Sequence, residues 1–133
     1  MNHVLDASAI VAFLRREPGA EIVKECLVVD PPRCMVHAIN LCEVFYAFLK
    51  RSDEDAAALA VETVRSIGVI VREDMDEAFW QQAGRYKTRF RIPLADAFVL
   101  SLADRFGAEV VTSDRGDFEP IAESGACRVT FIR

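Results

Sequence analysis

The sequence predicts an α/β fold in a single domain: a parallel sheet of about five strands, with helices on both faces. Short apolar runs typical of buried strands alternate along the chain with longer segments of helical periodicity. The 133 residues suffice for one hydrophobic core. No linker, internal repeat or low-complexity stretch divides the chain, so residues 1–133 are expected to form one domain.

The first half of the chain predicts three strands and four helices. The strands are predicted at 4–5, 34–36 and 69–71, and the helices at 7–14, 20–28, 38–50 and 53–67. The prolines in segment 30–33 predict a turn, because proline cannot continue a helix or a central strand. The last two of these helices form a predicted protruding αα-hairpin, which breaks near Arg51 and Ser52.

The second half predicts two helices, a short helical turn and two strands. Asp74 or Asp76 is expected to cap a helix that runs to about residue 88. Pro93 opens a helix at 94–106, which Gly107 ends. A strand at 110–112, one helical turn at 117–122 and a last strand at 129–132 complete the chain. This alternation favours parallel strands joined by helices.

The composition predicts a globular protein of the cytoplasm with no membrane partner. Hydrophobic residues make up 52% of the chain, yet no apolar run approaches the roughly 20 residues of a membrane helix. The N-terminus lacks the basic start and long apolar core of a signal peptide. The four cysteines form no CxxC pair and no histidine lies at zinc-ligand spacing from them. They are therefore expected to be reduced and mostly buried.

The charge balance restricts how the protein could bind nucleic acid. The formal net charge is −5, which excludes a globally basic nucleic-acid binder. A local basic patch is still compatible with this charge.

Four acidic residues fall at one edge of the predicted sheet. Asp6 ends the first strand and Asp114 follows the fourth. Glu43 lies in the helix after the second strand, and Asp96 lies in the first turn after Pro93. Because parallel strands share one carboxyl edge, these carboxylates are expected in one crevice. They would repel one another unless a cation binds, and oxygen ligands select Mg²⁺ or Mn²⁺, which can activate water against a phosphodiester.

Each of these acids alone also has a simpler interpretation. Asp6 is a favoured helix N-cap, Asp96 suits the positive end of a helix dipole, and Asp114 is a common turn residue. Glu43 could belong to an exposed helix face, although its sequence neighbours are apolar. The placement of all four acids at one predicted edge of the sheet favours a shared cation-binding site over four separate local roles.

The motifs around these acids resemble those of the PIN-domain nucleases. They are Leu5-Asp6-Ala7-Ser8, Asn40-Leu41-Cys42-Glu43, Leu94-Ala95-Asp96-Ala97 and Thr112-Ser113-Asp114. Their order and spacing, over the whole chain, resemble the single-domain VapC-type toxins of that family. The resemblance implies a Mg²⁺- or Mn²⁺-dependent endoribonuclease that acts as the toxin of a type II toxin–antitoxin pair.

The resemblance also implies roles for single residues and partners for the chain. The catalytic and metal-binding set that it implies is Asp6, Glu43, Asp96 and Asp114. The supporting residues are Ser8, Thr112 and Asp117, of which Asp117 lies where the family varies and is supporting at most. The implied partners are an RNA substrate, a cognate antitoxin that blocks the site, and a second copy of the chain in a homodimer.

Four cations precede Asp96 in the sequence. They are Arg85, Lys87, Arg89 and Arg91. Tyr86 and Phe90 alternate with them, so the segment is predicted to contact RNA phosphates and to offer an aromatic ring for base stacking. The alternative is a solvated helix end, where such cations complement the dipole.

Two other functions are compatible with parts of the sequence. An aspartyl-phosphate protein would need a second acid two residues after Asp6, where Ser8 stands, or a lysine after a late strand, which the sequence does not offer. The other alternative is a catalytically weak PIN-like module that binds RNA or protein. The presence of all four acids argues against that loss of activity.

Overall fold

The computed structural model describes residues 2–28 and 33–133. The turn predicted at 30–33 therefore lies outside the described residues, except for Arg33. The elements within these residues, in chain order, are β1 (His3–Leu5), α1 (Ala7–Leu14), α2 (Ala20–Leu27), β2 (Cys34–His37), α3 (Ala38–Arg51), α4 (Glu54–Ser66), β3 (Ile70–Arg72), α5 (Glu77–Phe90), α6 (Leu94–Phe106), β4 (Glu109–Thr112), α7 (Arg115–Ser124) and β5 (Val129–Phe131).

The five strands form one parallel sheet in the order β3-β2-β1-β4-β5, which confirms the predicted fold class. β1 lies at the centre, where Val4 is in register with Met35 of β2 and with Val110 of β4. Both faces of the sheet are covered by helices. Val4 points into the core beneath α5, α6 and α7, and Leu5 points into the core beneath α1 to α4.

The chain leaves the neighbouring strands β1 and β4 toward opposite faces of the sheet. Ile10 of α1, which follows β1, is buried in one core, while Phe118 of α7, which follows β4, is buried in the other. Such a divergence opens a crevice at the carboxyl edge of the two strands, the usual ligand position in open α/β sheets. Asp6 and Asp114 come directly after these two strands.

The last helix corrects a prediction. The single turn predicted at 117–122 is part of α7, which is ten residues long. The carboxylate of Asp114 starts this helix by accepting the backbone N–H of Asp117 at 3.0 Å, and Gly125 ends it in a left-handed conformation. Gly116 and Pro120 lie inside the helix. Because both are poor helix formers, the sequence predicted a shorter helix.

α5 begins where it was predicted to begin, but the predicted side-chain cap is not formed. Asp76 occupies the N-cap position, but its side chain makes no capping hydrogen bond. Its carboxylate instead accepts hydrogen bonds from both terminal nitrogens of Arg105, at 2.6 and 2.8 Å. The helix continues two residues past the predicted end, to Phe90.

The hairpin leaves an apolar side chain exposed, and the cysteines are less buried than predicted. Ala60 and Val64 of α4 pack into the core beneath α1 to α4, whereas Leu59 is 65% exposed. The four cysteines are free as predicted, but only Cys34 is buried and Cys42 is exposed. Among the helices that the structure describes, none is long and apolar enough to cross a membrane.

Candidate active site

Asp6 is the buried centre of the acidic site. Its side chain is 4% exposed, and Oδ1 accepts the hydroxyl of Ser8 at 2.7 Å and the backbone N–H of Ala9 at 2.9 Å. Oδ2 accepts the hydroxyl of Thr112 at 2.5 Å. Burial raises the pKa of Asp6 against the lowering effect of these hydrogen bonds. The hydrogen bond from the Ala9 N–H caps α1, so Asp6 is both the N-cap of this helix and a member of the acidic site.

Two hydroxyl groups fix Asp6 to the turn between β4 and α7. The Ser8 hydroxyl accepts the backbone N–H of Ser113 at 3.0 Å, and the Thr112 hydroxyl accepts that of Asp114 at 2.9 Å. Each hydroxyl therefore donates to Asp6 and accepts from the turn. The position of Asp114 relative to Asp6 is set by hydrogen bonds rather than by chance proximity.

Asp96, Asp114 and Asp117 form a tight group of carboxylates. One oxygen from each lies within 4.8 Å of the others. The pKa of Asp96 is raised to about 8, first by burial and next by its hydrogen bond to Asp117 and the charge of that residue. The charges of Asp6 and Asp114 raise it further. Carboxylates this close favour the uptake of a proton or of a cation.

Glu43 approaches the group from α3, on the other side of Asp6. Its pKa is raised by burial first and by the charge of Asp6 second, which places the two carboxylates near each other. Its side-chain partner is the Tyr46 hydroxyl, at a long 3.4 Å. Within residues 2–28 and 33–133, none of these five carboxylates forms an ion pair with a protein cation.

The residue types and spacing fit a hard divalent cation. All five donors are carboxylate oxygens, which suit Mg²⁺ or Mn²⁺ and exclude a soft-metal site. An octahedral cation of this size places its ligand oxygens roughly 3–4 Å apart. The oxygens of Asp96, Asp114 and Asp117 lie within 4.8 Å of one another, so a small inward movement would bring them to that spacing. Asp6 and Glu43 lie beside that group.

Sequence reasoning missed two features of the site. Asp117, assigned a supporting place at most, supplies one of the three oxygens of the tight group. His37 fixes the start of α3, because its Nδ1 accepts the Ile39 N–H at 3.0 Å and its Nε2 lies 2.9 Å from the Asp74 carbonyl. Nε2 must therefore carry the proton. The signal for His37 was its position directly before a helix, where side chains that cap are common.

The four cations of the basic segment are all exposed, although Arg85 donates to the Gln82 amide oxygen at 3.1 Å and Arg89 lies over the Phe90 ring. Arg85 and Arg89 lie one helical turn apart on the exposed face of α5, where neither forms an ion pair with a described residue. Lys87 donates to the Ile92 carbonyl at 2.9 Å, as the helix-end interpretation expects. Arg91 ends α5 in a left-handed conformation.

The aromatic residues of that segment correct another prediction. Tyr86 is buried in the core beneath α5, α6 and α7, and Phe90 is half-buried against the same core. The ring of Tyr86 is therefore unavailable for base stacking. Its helical phase, three residues after the buried Ala83, explains the inward position.

Comparison with known proteins agrees with this geometry. Residues 3–123 match the PIN domain family. The DNA-bound VapBC complex of Salmonella typhimurium contains a chain of the same fold, with a TM-score of 0.75 and 18% identity over 100% of this chain and 99% of that one. A toxin–antitoxin complex from Klebsiella pneumoniae gives 0.74 and 17%, over 99% and 98% of the two chains.

A third solved structure carries an activity in its description. VapC20 of Mycobacterium tuberculosis, described as a sarcin–ricin loop cleaving toxin, matches with a TM-score of 0.71 and 21% identity, over 90% of this chain and 95% of that one. No curated protein matches the chain. The family match spans nearly the whole sequence, and the solved structures share its fold. The chain therefore belongs to the PIN domain family.

Proposed function

We propose that this protein is a Mg²⁺- or Mn²⁺-dependent endoribonuclease, the toxin of a toxin–antitoxin pair. The observation that carries the proposal is the group of Asp96, Asp114 and Asp117 beside Asp6, without any protein cation paired to it among the described residues. So many carboxylates are stable together only with bound protons or a bound cation. The VapC-type neighbours support the same reading.

The carboxylates have different tasks in this proposal. Asp96, Asp114 and Asp117 would hold the cation, which when bound supplies a Lewis acid for activating water and stabilising the phosphodiester under attack. Asp6 is held rigidly by two hydroxyls and a backbone N–H, so it orients the set with little reorganisation. Glu43 completes the set from α3, where its carboxylate accepts a long hydrogen bond of 3.4 Å from the Tyr46 hydroxyl.

RNA would approach over α5 in this proposal. Arg85 and Arg89 are exposed and form no ion pair with a described residue, and α5 leads through three residues into α6 and Asp96. With the site acids set aside, acidic and basic residues nearly balance. Phosphate attraction must then come from the cation and from these arginines, so its salt dependence should be modest.

The partners in this proposal are an antitoxin and a second copy of the chain. The neighbours include toxin–antitoxin complexes, which supports an antitoxin partner. The hairpin offers surface for both contacts, because Tyr46 of α3 and Leu59 of α4 are exposed, and Phe45 and Val61 line an open hollow beside Arg65. A monomer at micromolar concentration in sedimentation, with no hairpin protection on antitoxin binding, would contradict these roles.

Cleavage of labelled RNA with Mn²⁺ and with EDTA tests the activity. We expect cleavage in Mn²⁺, none in EDTA, and at least a 100-fold loss in Asp96→Asn, because the variant removes a charged oxygen from the cation group. Asp104→Asn is the matched control, since Asp104 is exposed on the same helix. Asp96→Asn is preferable to Asp6→Asn, which would also damage the cap of α1.

Testing several classes of RNA distinguishes the proposed nuclease from a PIN-like domain that only binds RNA or protein. The substrates should include transfer RNA, messenger RNA and a ribosomal hairpin. RNA binding without Mn²⁺-dependent cleavage of any of them would favour a catalytically weak binding domain. Cleavage by Asp96→Asn at near the wild-type rate would refute the assignment of the acidic group.

A further inference from the structure

Two described residues, Asn40 and His3, have buried polar side-chain atoms without a hydrogen-bond partner, and of the two only Asn40 is a fully buried residue with no partner for either polar atom. It is 0% exposed, and neither its Nδ2 nor its Oδ1 has a hydrogen-bond partner among the described residues. The other buried polar side chains all form hydrogen bonds; they are Asp6, His37, Ser101 and Thr112. Burying an unpaired amide is costly, so such a group points to a ligand or to a functional constraint.

Asn40 stands next to the acidic site in the fold. It lies in the first turn of α3, which follows β2, and β2 neighbours β1 at the edge where Asp6 follows. α3 also packs against α6, the helix that carries Asp96. Glu43 comes one helical turn after Asn40 on the same face, and helical side chains lean toward the N-terminus. The Glu43 carboxylate therefore leans toward the turn that holds Asn40.

The Asn40 amide adds an unpaired group that can both donate and accept hydrogen bonds beside the carboxylates, whereas the Ser8 and Thr112 hydroxyls are already bonded to Asp6 and to the turn after β4. The five carboxylates of the site only accept hydrogen bonds when ionised, whereas an amide both accepts and donates. Mg²⁺ and Mn²⁺ in such sites keep several water molecules, whose hydrogens are strong donors. An amide oxygen can accept from one of these waters, while the amide nitrogen donates to a carboxylate such as Glu43.

We propose that Asn40 is a positioning residue of the acidic site, whose amide binds a water molecule in the hydration shell of the divalent cation beside Glu43. The inference rests on the proposed metal-dependent function. Residues that act on a metal through its water or its ligands commonly change metal affinity by 10- to 100-fold when replaced. A residue with only a structural role would change folding instead.

Mn²⁺ binding measured without RNA tests this role. The free Mn²⁺ signal in electron paramagnetic resonance gives the Kd, and thermal melts in EDTA and in Mn²⁺ give stability. Asn40→Leu keeps a similar volume and removes both polar atoms. We expect its Mn²⁺ Kd to rise at least tenfold, while its melting temperature in EDTA is no lower than that of the wild type.

Ser101→Ala is the matched control. Ser101 is also buried, lies five residues after Asp96 on α6, and its hydroxyl donates to the Phe79 carbonyl at 2.8 Å. We expect this variant to melt lower in EDTA and to bind Mn²⁺ as the wild type does. A Kd for Asn40→Leu within twofold of the wild-type value would overturn the proposal.

Asn40→Asp keeps the test decisive if Asn40→Leu folds poorly. A sixth carboxylate at the site should lower the melting temperature in EDTA and give a larger rise on adding Mn²⁺ than the wild type shows. An equal or smaller rise would overturn the role of Asn40. Failure of the wild type itself to bind Mn²⁺ would overturn the proposed function as well, which separates the two failures.

Discussion

Replacing Asp96 by Asn should stabilise the metal-free protein at neutral pH. The pKa of this carboxyl is raised to about 8, mainly by burial and by Asp117, against about 3.9 in an unfolded chain. Between these values the folded state binds more protons than the unfolded state. The free energy of unfolding should therefore be highest below pH 4 for this group and should fall as pH rises toward 8. Asn donates a hydrogen bond to Asp117 without needing that proton.

The size of the effect follows from the same pKa. Each pKa unit between the folded and unfolded values corresponds to about 1.4 kcal/mol, so a fully buried group would destabilise the folded state by about 6 kcal/mol on ionising. Asp96 is partly exposed, and solvent screening reduces the expected gain to about 1–2 kcal/mol. For a domain of this length that gain raises the melting temperature by roughly 3–8 °C.

Thermal melts in EDTA at pH 5, 7 and 8.5 measure this directly. The difference in melting temperature between Asp96→Asn and the wild type should grow with pH, and Mn²⁺ should reverse it by stabilising only the wild type strongly. Asp104→Asn should show no such trend. A variant that melts lower than the wild type at pH 8.5 in EDTA, or that gains equally from Mn²⁺, would refute the reasoning.

Three further predictions concern the supports of the site and its surroundings. Thr112→Val should lower the free energy of unfolding by about 1–3 kcal/mol, because the Asp6 carboxylate and the Asp114 N–H both lose the hydroxyl that they share. Denaturant unfolding measures the change, with Thr63→Val on α4 as the control. Mn²⁺ affinity should rise between pH 6 and pH 8.5, since the cation must displace the proton on Asp96; an affinity independent of pH in calorimetry would contradict this. Arg85→Glu with Arg89→Glu should weaken binding of a short RNA roughly tenfold without changing Mn²⁺ affinity, whereas Arg51→Glu with Arg65→Glu on the hairpin should change neither.

The fold was predictable because its boundaries carry strong local signals. α1 and α6 begin and end at the predicted residues, since Asp6 caps the first and Gly107 ends the second in a left-handed conformation. β3 lies one residue later than predicted, because an apolar run alone does not set the register of an edge strand. The helix α7 was shortened in the prediction because Gly116 and Pro120 argue locally against a helix that tertiary packing sustains.

The site was only partly predictable, for a related reason. Asp6 and Asp114 could be placed from the strands they follow, and Asp96 from the proline before it. The position of Asp117 depends on α7 beginning at residue 115, since a helix brings residues three apart onto one side. The lone amide of Asn40 could not be read from sequence, because whether a polar side chain is satisfied depends on tertiary contacts.

The local and the catalytic interpretations of these acids are not alternatives in this fold. Asp6 and Asp114 each cap the helix that follows their strand, at 2.9 and 3.0 Å. Because the caps fix both carboxylates against helix ends on opposite faces of the sheet, the two cannot move apart when they repel each other. Burial and the neighbouring Asp117 raise the pKa of Asp96 most, and the charges of Asp6 and Asp114 raise it further, so that this carboxyl favours its protonated form. Helix capping thus preorganises the acidic group, and under the proposed function the stability that this arrangement costs would be regained when a cation replaces that proton.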